Sequence, residues 1–420
     1  METLGTKLRN LRKQRGFTQQ SLAEGLVTAS MVSQVESDRA TPSPALLEAL
    51  ANRLGVDIEY FANSLVEKAD DVANFKLAKQ CLQEGKFEEA IGLLKGLSWP
   101  LGAPLKPEVI YNELADCYSK IRDYGQAVKM YECLIQLGYE RNDLPMVVHN
   151  YYHAAIALRK HGLANVATVY FARAREVLLH NPQLYMPIAV KIDMHLARMY
   201  LLEGRFAEAA NLYDEILQLH AIYGGVDHGR VYHGLACACL CMHNFDRAIE
   251  YCDRSIEEYL QNGNTYSLIQ CFINKGMALR YAQRYEEAHA VLRSTLANIA
   301  PLDSLQRIAV QHELALVSLA MGNYREAMEQ ADEALKHTKL ERSVEASLKL
   351  VRAKCRLAFG ELEDAAQELE WLESNQERLP PALLPDIREA QRQYFMASGR
   401  QGDLIRLCQA HARAVLTIQK

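Results

Sequence analysis

One six-residue phrase recurs along most of this 420-residue chain: GKFEEA at 85–90, RDYGQA at 122–127, GRFAEA at 204–209, HNFDRA at 243–248, QRYEEA at 283–288, GNYREA at 322–327 and GELEDA at 360–365. A weaker copy, GLANVA, stands at 162–167. The closing alanines, Ala90, Ala127, Ala167, Ala209, Ala248, Ala288, Ala327 and Ala365, are 37 to 42 residues apart. Twelve residues before each comes a second small residue: Ala78, Ala115, Ala155, Ala197, Ala236, Gly276, Ala315 and Ala353. A period of that length means a helix pair stacked in an array, because one pair alone cannot bury its apolar face. Small residues in both helices let their axes approach closely. The aromatic of the phrase (Phe87, Tyr124, Phe206, Phe245, Tyr285 or Tyr324) fills the space beside the turn. Eight pairs are expected, with a ninth after Pro380-Pro381, around SGRQGDLIRL, as a terminal cap.

The first sixty residues follow other rules. Leu4, Leu8 and Leu11 recur at helical spacing and stop at Gly16. Thr18 can cap a second helix carrying Leu22 and Ala23, and a third runs through Val32, Val35 and Glu36. Asp38 stands where that helix must end, in a conformation Asp tolerates better than most residues. Ser43-Pro44 opens a fourth helix that Gly55 closes, and Asp57 can cap a fifth with Ile58, Tyr60 and Phe61. Residues 62–72 lack Pro and Gly and read as a helical connector.

GFTQQSLAEGLVTASMVSQVESDRATPS, residues 16–43, resembles the helix-turn-helix of phage-repressor (XRE/Cro-like) proteins. Asp38 replaces the usual glycine, and Ala29 is small where a base-reading side chain often stands. The resemblance implies a recognition helix over 29–37 in the major groove, offering Ser30, Met31, Ser33 and Gln34 to base edges. Gln34 can read adenine with two hydrogen bonds. The resemblance also implies that Gln19, at a helix N-terminus, meets phosphate, that Lys13 and Arg39 meet the backbone, and that Arg12 and Glu36 pair across the core.

The repeated unit resembles a tetratricopeptide repeat, although each copy is longer and most lack the usual proline. The implied fold class is all-α: a five-helix head (1–62), a linker (63–72) and a right-handed superhelix of eight to nine pairs (73–420). First helices would line a concave wall. Projecting the repeat grammar puts Asn112 and Asp116, then His149, Tyr152 and Arg159, on that wall. Lys191, Met194 and Arg198 follow, then Arg230 and His233, then Gln270, Met277 and Arg280, and finally His312. A head and array of this kind are similar to the Rap–Rgg–NprR–PlcR–PrgX class of quorum-sensing regulators, nearest its NprR-like members. The resemblance implies a homodimer or higher oligomer that binds a double-stranded DNA operator. It also implies a short signalling oligopeptide on the concave wall, held through Arg or Lys on a carboxylate. The alternative reading is an array that sequesters a protein partner, such as a sporulation response regulator.

Composition supports this reading. A formal net charge of −5 confines DNA contact to a local surface. The polar N-terminus has no signal-peptide core, and no run is long and apolar enough to span a bilayer, so a cytoplasmic protein with reduced cysteines is expected. Neither a phosphate-binding glycine loop nor a nucleophile elbow is present, so neither enzymatic activity nor a cofactor is expected. His233, Cys237 and Cys241 share a helix face at i, i+4 and i+8, but no fourth ligand is spaced to complete a zinc site, so no metal is expected.

Overall fold

The computed structural model describes residues 3–97, 101, 105–184, 188–223, 226–298, 303–337 and 340–418; the side chains of 62–69, 219–223, 298 and 410–418 are outside the description. The described residues hold helices and no strand. No helix among them is long and apolar enough to cross a membrane. The chain forms two compact units, residues 1–199 and 200–420.

The first unit begins with α1 (Leu4–Gln14), α2 (Gln19–Ala23), α3 (Ala29–Glu36) and α4 (Pro44–Leu54). Hydroxyl caps set their starts. Thr18 and Ser21 form a reciprocal capping box on α2, Thr28 accepts from the Met31 amide, and Ser43 accepts from the Leu46 amide ahead of Pro44. Gly55 closes α4 with φ 71°. Leu4, Leu8, Leu22, Val32, Leu47 and Leu50 join in one buried core. The Asp38 expectation holds: its φ is 55°, and its Oδ1 accepts from the Gly5 amide at 3.1 Å. A β-carbon on Gly5 would lie 2.4 Å from the Val35 carbonyl oxygen, so glycine is what lets α1 reach the end of α3.

The fifth helix is longer than the sequence suggested. α5 runs without a break from Glu59 to Gln83, with the Asp57 carboxylate accepting from the Glu59 amide at its start. Phe61, in its first turn, is buried in the head core, and Ala78, five turns on, is buried in the first repeat. One continuous helix therefore has its two ends in two cores. The connector at 63–72 lies within it.

Along the chain, α5 and α6 (Phe87–Lys95) make the first pair, followed by α7 (Pro107–Lys120) with α8 (Tyr124–Glu140) and α9 (Leu144–Lys160) with α10 (Ala164–His180). Next come α11 (Ile188–Leu202) and α12 (Phe206–Tyr223), then α13 (His228–Cys241) and α14 (Phe245–Asn262). α15 (Thr265–Tyr281), α16 (Tyr285–Asn298), α17 (Ser304–Ala320) and α18 (Tyr324–Leu335) continue the alternation. α19 (Arg342–Phe359), α20 (Leu362–Ser374), α21 (Leu384–Ala397) and α22 (Gln401–Ile418) bring the pairs among the described residues to nine, the last being the pair expected after Pro380-Pro381. In the second unit α13, α15, α17, α19 and α21 touch in sequence, whereas second helices do not meet one another as closely. The crowded layer is the inner side of a bend, so first helices line its inner wall.

The small-residue register has the anticipated cause. All fifteen register alanines are fully buried. At the one glycine, Gly276, a β-carbon would lie 2.6 Å from Leu292 Cδ2. The phrase aromatic does more than fill the turn. Phe245 stacks on Tyr281 at 5.5 Å, Tyr324 meets Phe359 edge-on at 6.2 Å, and Lys160 lies 5.9 Å over Tyr124. In each case it joins the start of a second helix to the end of the next first helix.

The first residue of each phrase is left-handed, which is why Gly85, Gly162, Gly204, Gly322 and Gly360 recur there. Arg122, His243 and Gln283 adopt the same conformation with φ of 59–64°. Replacing Gln283 by glycine removes that strain and is expected to stabilise the protein by roughly 0.5–1 kcal/mol. An unchanged or lower midpoint in urea unfolding would contradict this.

Candidate functional site

The head presents one helix face to solvent. On α3, Val32, Val35 and Glu36 are buried, Ser30, Ser33 and Gln34 are exposed, and Met31 lies half-buried between them. Lys13 and Arg39 are exposed nearby in sequence. A buried polar lattice fixes the angle of α3. Arg12 donates through Nε to Glu36 Oε1, through Nη2 to Glu36 Oε2 at 3.0 Å, and through Nη1 to the Phe17 carbonyl at 2.7 Å. Burial pushes the Glu36 carboxyl up, but hydrogen bonds from Arg12 and Gln19 and the charge of Arg12 outweigh it and hold it below the usual carboxylate range. Gln19 Nε2 donates to Glu36 Oε2 at 2.8 Å. Its side-chain amide is therefore committed to the lattice, leaving its backbone amide at the start of α2 for an anion.

In the first unit, α7 carries Asn112 and Asp116, both exposed, and burial with the neighbouring Glu113 charge raises the Asp116 carboxyl above its ordinary range. On α9, His149 is exposed with Nδ1 donating to the Pro145 carbonyl at 3.1 Å. Tyr152 packs against Phe171 and His195, which stack on each other at 5.3 Å. This aromatic cluster adds half-buried His195 to the residues expected from sequence, with the buried Phe171 as its support; their spacing within separate helices gave no sign that they would meet. Arg159 is half-buried, and its Nε has no hydrogen-bond partner among the described residues. Lys191 and Arg198 are exposed on α11, with Met194 half-buried between them. Among the described residues, none of Arg159, Lys191 and Arg198 forms an ion pair. α9 and α11 thus carry half-buried Tyr152 and His195 on a buried Phe171, together with the positive charges of Arg159, Lys191 and Arg198, which suit an anionic group.

The second unit treats its wall residues differently. Arg230 is exposed. His233 Nε2 lies 2.8 Å from the Asn274 side-chain nitrogen, which also donates to Cys237 Sγ at 3.4 Å. Arg280 donates to Glu313 Oε2 at 3.0 Å and lies over the Tyr281 ring. The His312 Nε2 sits 2.8 Å from Ser347 Oγ, and burial pushes its pKa down. Arg280, His233 and His312 therefore tie neighbouring repeats together, a role that spacing within one helix does not reveal. Gln270, Met277 and His312 border one cavity of about 320 Å³. Cys239 is buried and Cys241 exposed, and all ten cysteines are free thiols. Among the described residues, no group of three His, Cys, Asp or Glu is placed to hold a metal ion.

Known proteins share these features. Residues 8–61 match the helix-turn-helix family. Residues 111–145, 189–261 and 312–374 match tetratricopeptide repeat families. An immunity repressor protein of Bacillus phage phi105 is 29% identical over 112 residues, covering 26% of this chain and 77% of the repressor. The apo form of RapI is 13% identical with a TM-score of 0.55, covering 83% of this chain and 98% of RapI. The apo form of the quorum sensor NprR from B. thuringiensis is 12% identical with a TM-score of 0.50, covering 75% of this chain and 98% of NprR. At these identities the two structures share the fold with this chain.

Proposed function

We propose that this protein, a helix-turn-helix head joined to tetratricopeptide-like repeats in the architecture of the Rap, NprR and PlcR class, is a sequence-specific transcription regulator gated by a short peptide. The observation that carries the reading is α3: its apolar residues hold it in the head core, and Ser30, Ser33 and Gln34 stand outward together. Such a helix fits a major groove, where those side chains reach base edges. Lys13 and Arg39 supply backbone contacts, and the α2 N-terminus supplies an amide for phosphate.

The peptide lies along the inner wall, its carboxylate held by Arg159, Lys191 or Arg198. The gate works through α5. Its ends are buried in the head and in the first repeat, so a change in repeat packing turns the head as a body. Turning matters because a dimer must place two recognition helices about one helical turn apart on DNA. The working state is then a homodimer in the cytoplasm. The fold shared with RapI also suits capture of a protein partner, and the exposed α3 face is what favours regulation at DNA.

Selection from a random duplex pool with the full chain tests the reading. Enrichment of two related half-sites is expected, with affinity falling about 10³-fold or more between 50 and 200 mM salt. A pool that stays random under selection would refute it.

A further inference from the structure

The cavity in the second unit has walls of distinct chemistry. Met277, Ile308, Ala309, Leu340 and Val344 give it an apolar lining. The polar groups in those walls are already partnered: Asn274 with His233, Glu313 with Arg280, and His312 with Ser347. A charged side chain placed among these apolar residues would lose water, and the only carboxylate bordering the cavity among the described residues without an ion pair, Glu341, is exposed at its rim, so the apolar lining favours an uncharged apolar group. Two bordering groups differ. Gln270 and Glu341 border the cavity, and their side chains form no hydrogen bond or ion pair with any described residue. Glu341 is exposed at the start of α19, where its side chain makes no capping bond. Beside the cavity, Leu305 is 68% exposed; Tyr266, one turn before Gln270 on α15, is 66% exposed. Leu305 belongs to the cavity lining, so its exposed face extends the apolar surface of the cavity out to the rim.

We infer that this cavity is a subsite for one apolar side chain of an extended peptide, with Gln270 holding the adjacent amide and Glu341 an adjacent ammonium group. The inference rests on the reading of the inner wall as a peptide site and adds the chemistry of one position. The volume of about 320 Å³ admits a leucine-sized or phenylalanine-sized group with its flanking backbone. Tyr266 and Leu305 close over the ligand backbone and remove water from the amide.

L-leucinamide is the minimal probe, because it carries the apolar side chain, the ammonium and the amide. N-acetyl-leucinamide lacks the ammonium, and asparaginamide lacks the apolar group. The full chain is labelled at its methionine methyl groups, and the Met277 resonance is assigned by its loss in Met277→Leu. Leucinamide is expected to shift that resonance saturably with a Kd of roughly millimolar order. N-acetyl-leucinamide should bind about threefold more weakly, and Glu341→Gln should abolish the difference. Asparaginamide should give no saturable shift, and Ala309→Trp, which fills the cavity, should remove the leucinamide response. Should that variant fail to fold, Glu341→Gln, at an exposed position, still carries the test. A Met277 resonance unmoved by leucinamide up to about 50 mM, or equal affinity for all three probes, would overturn the assignment. Operator selection is read separately, so failure of the subsite and failure of DNA binding are distinguishable.

Discussion

Replacing Arg12 by alanine is expected to destabilise the head by about 3–5 kcal/mol, because it strands the Glu36 carboxylate in a buried site. The Glu36 side chain is 3% exposed, and Arg12 provides two of the hydrogen bonds to it. Gln19 remains, but a neutral amide does not replace a guanidinium. The loss should appear as faster amide hydrogen exchange through α1 to α4 and as loss of operator binding. The double variant Arg12→Met/Glu36→Leu should recover most of the stability, since removing both charges also removes the desolvation cost. Acid gives a second handle. The folded-state pKa of Glu36 is depressed, so its contribution is present above the unfolded value of about 4.3 and is lost as pH falls through the folded value. In Arg12→Ala the largest influence holding the Glu36 pKa down is gone, and burial is opposed only by the Gln19 hydrogen bond and the Arg9 charge, so the pKa should rise and the variant's deficit should shrink on acidification. Equal exchange rates in wild type and Arg12→Ala would show that the lattice does not support the head.

Gln34→Ala is expected to weaken binding to the selected operator by about 1–3 kcal/mol, a factor of roughly 5–150, while leaving binding to random duplex nearly unchanged. The side chain is exposed and makes no core contact, so the thermal midpoint of the protein should not move. Alanine at Lys13 or Arg39 should act differently: operator and random duplex weaken together, and the salt slope falls by about one. Equal losses on both duplexes for Gln34→Ala would show that α3 does not read sequence.

Much of this architecture is written locally in the chain. Thr18, Ser43 and Gly55 act within three or four residues of themselves, so their caps could be read directly. The alanine register was legible because it repeats. What depended on distant partners was not. Nothing near Gly5 announces that the Val35 carbonyl will press on it. Gln19 looks free to reach phosphate until Glu36, seventeen residues away, takes its amide. Helix spacing alone could not distinguish Arg159, which has no ion pair among the described residues, from Arg280, which pairs with Glu313 from the next repeat. The connector was read as helical because it lacks Pro and Gly; what local sequence did not show is that one helix, Glu59–Gln83, would carry Phe61 in the head core and Ala78 in the first repeat.

The central claim is a division of labour, with α3 reading DNA and the repeat wall controlling when it does so. Its most direct test is the affinity of the full chain for its selected operator, with and without a pool of synthetic heptapeptides bearing free carboxylates. The comparison chain is Arg159→Glu/Lys191→Glu/Arg198→Glu. The wild-type affinity should change about tenfold or more with the pool, and the charge-reversed chain should bind the operator normally without responding. An operator affinity that the pool leaves untouched in the wild type, or shifts equally in both chains, would contradict the account.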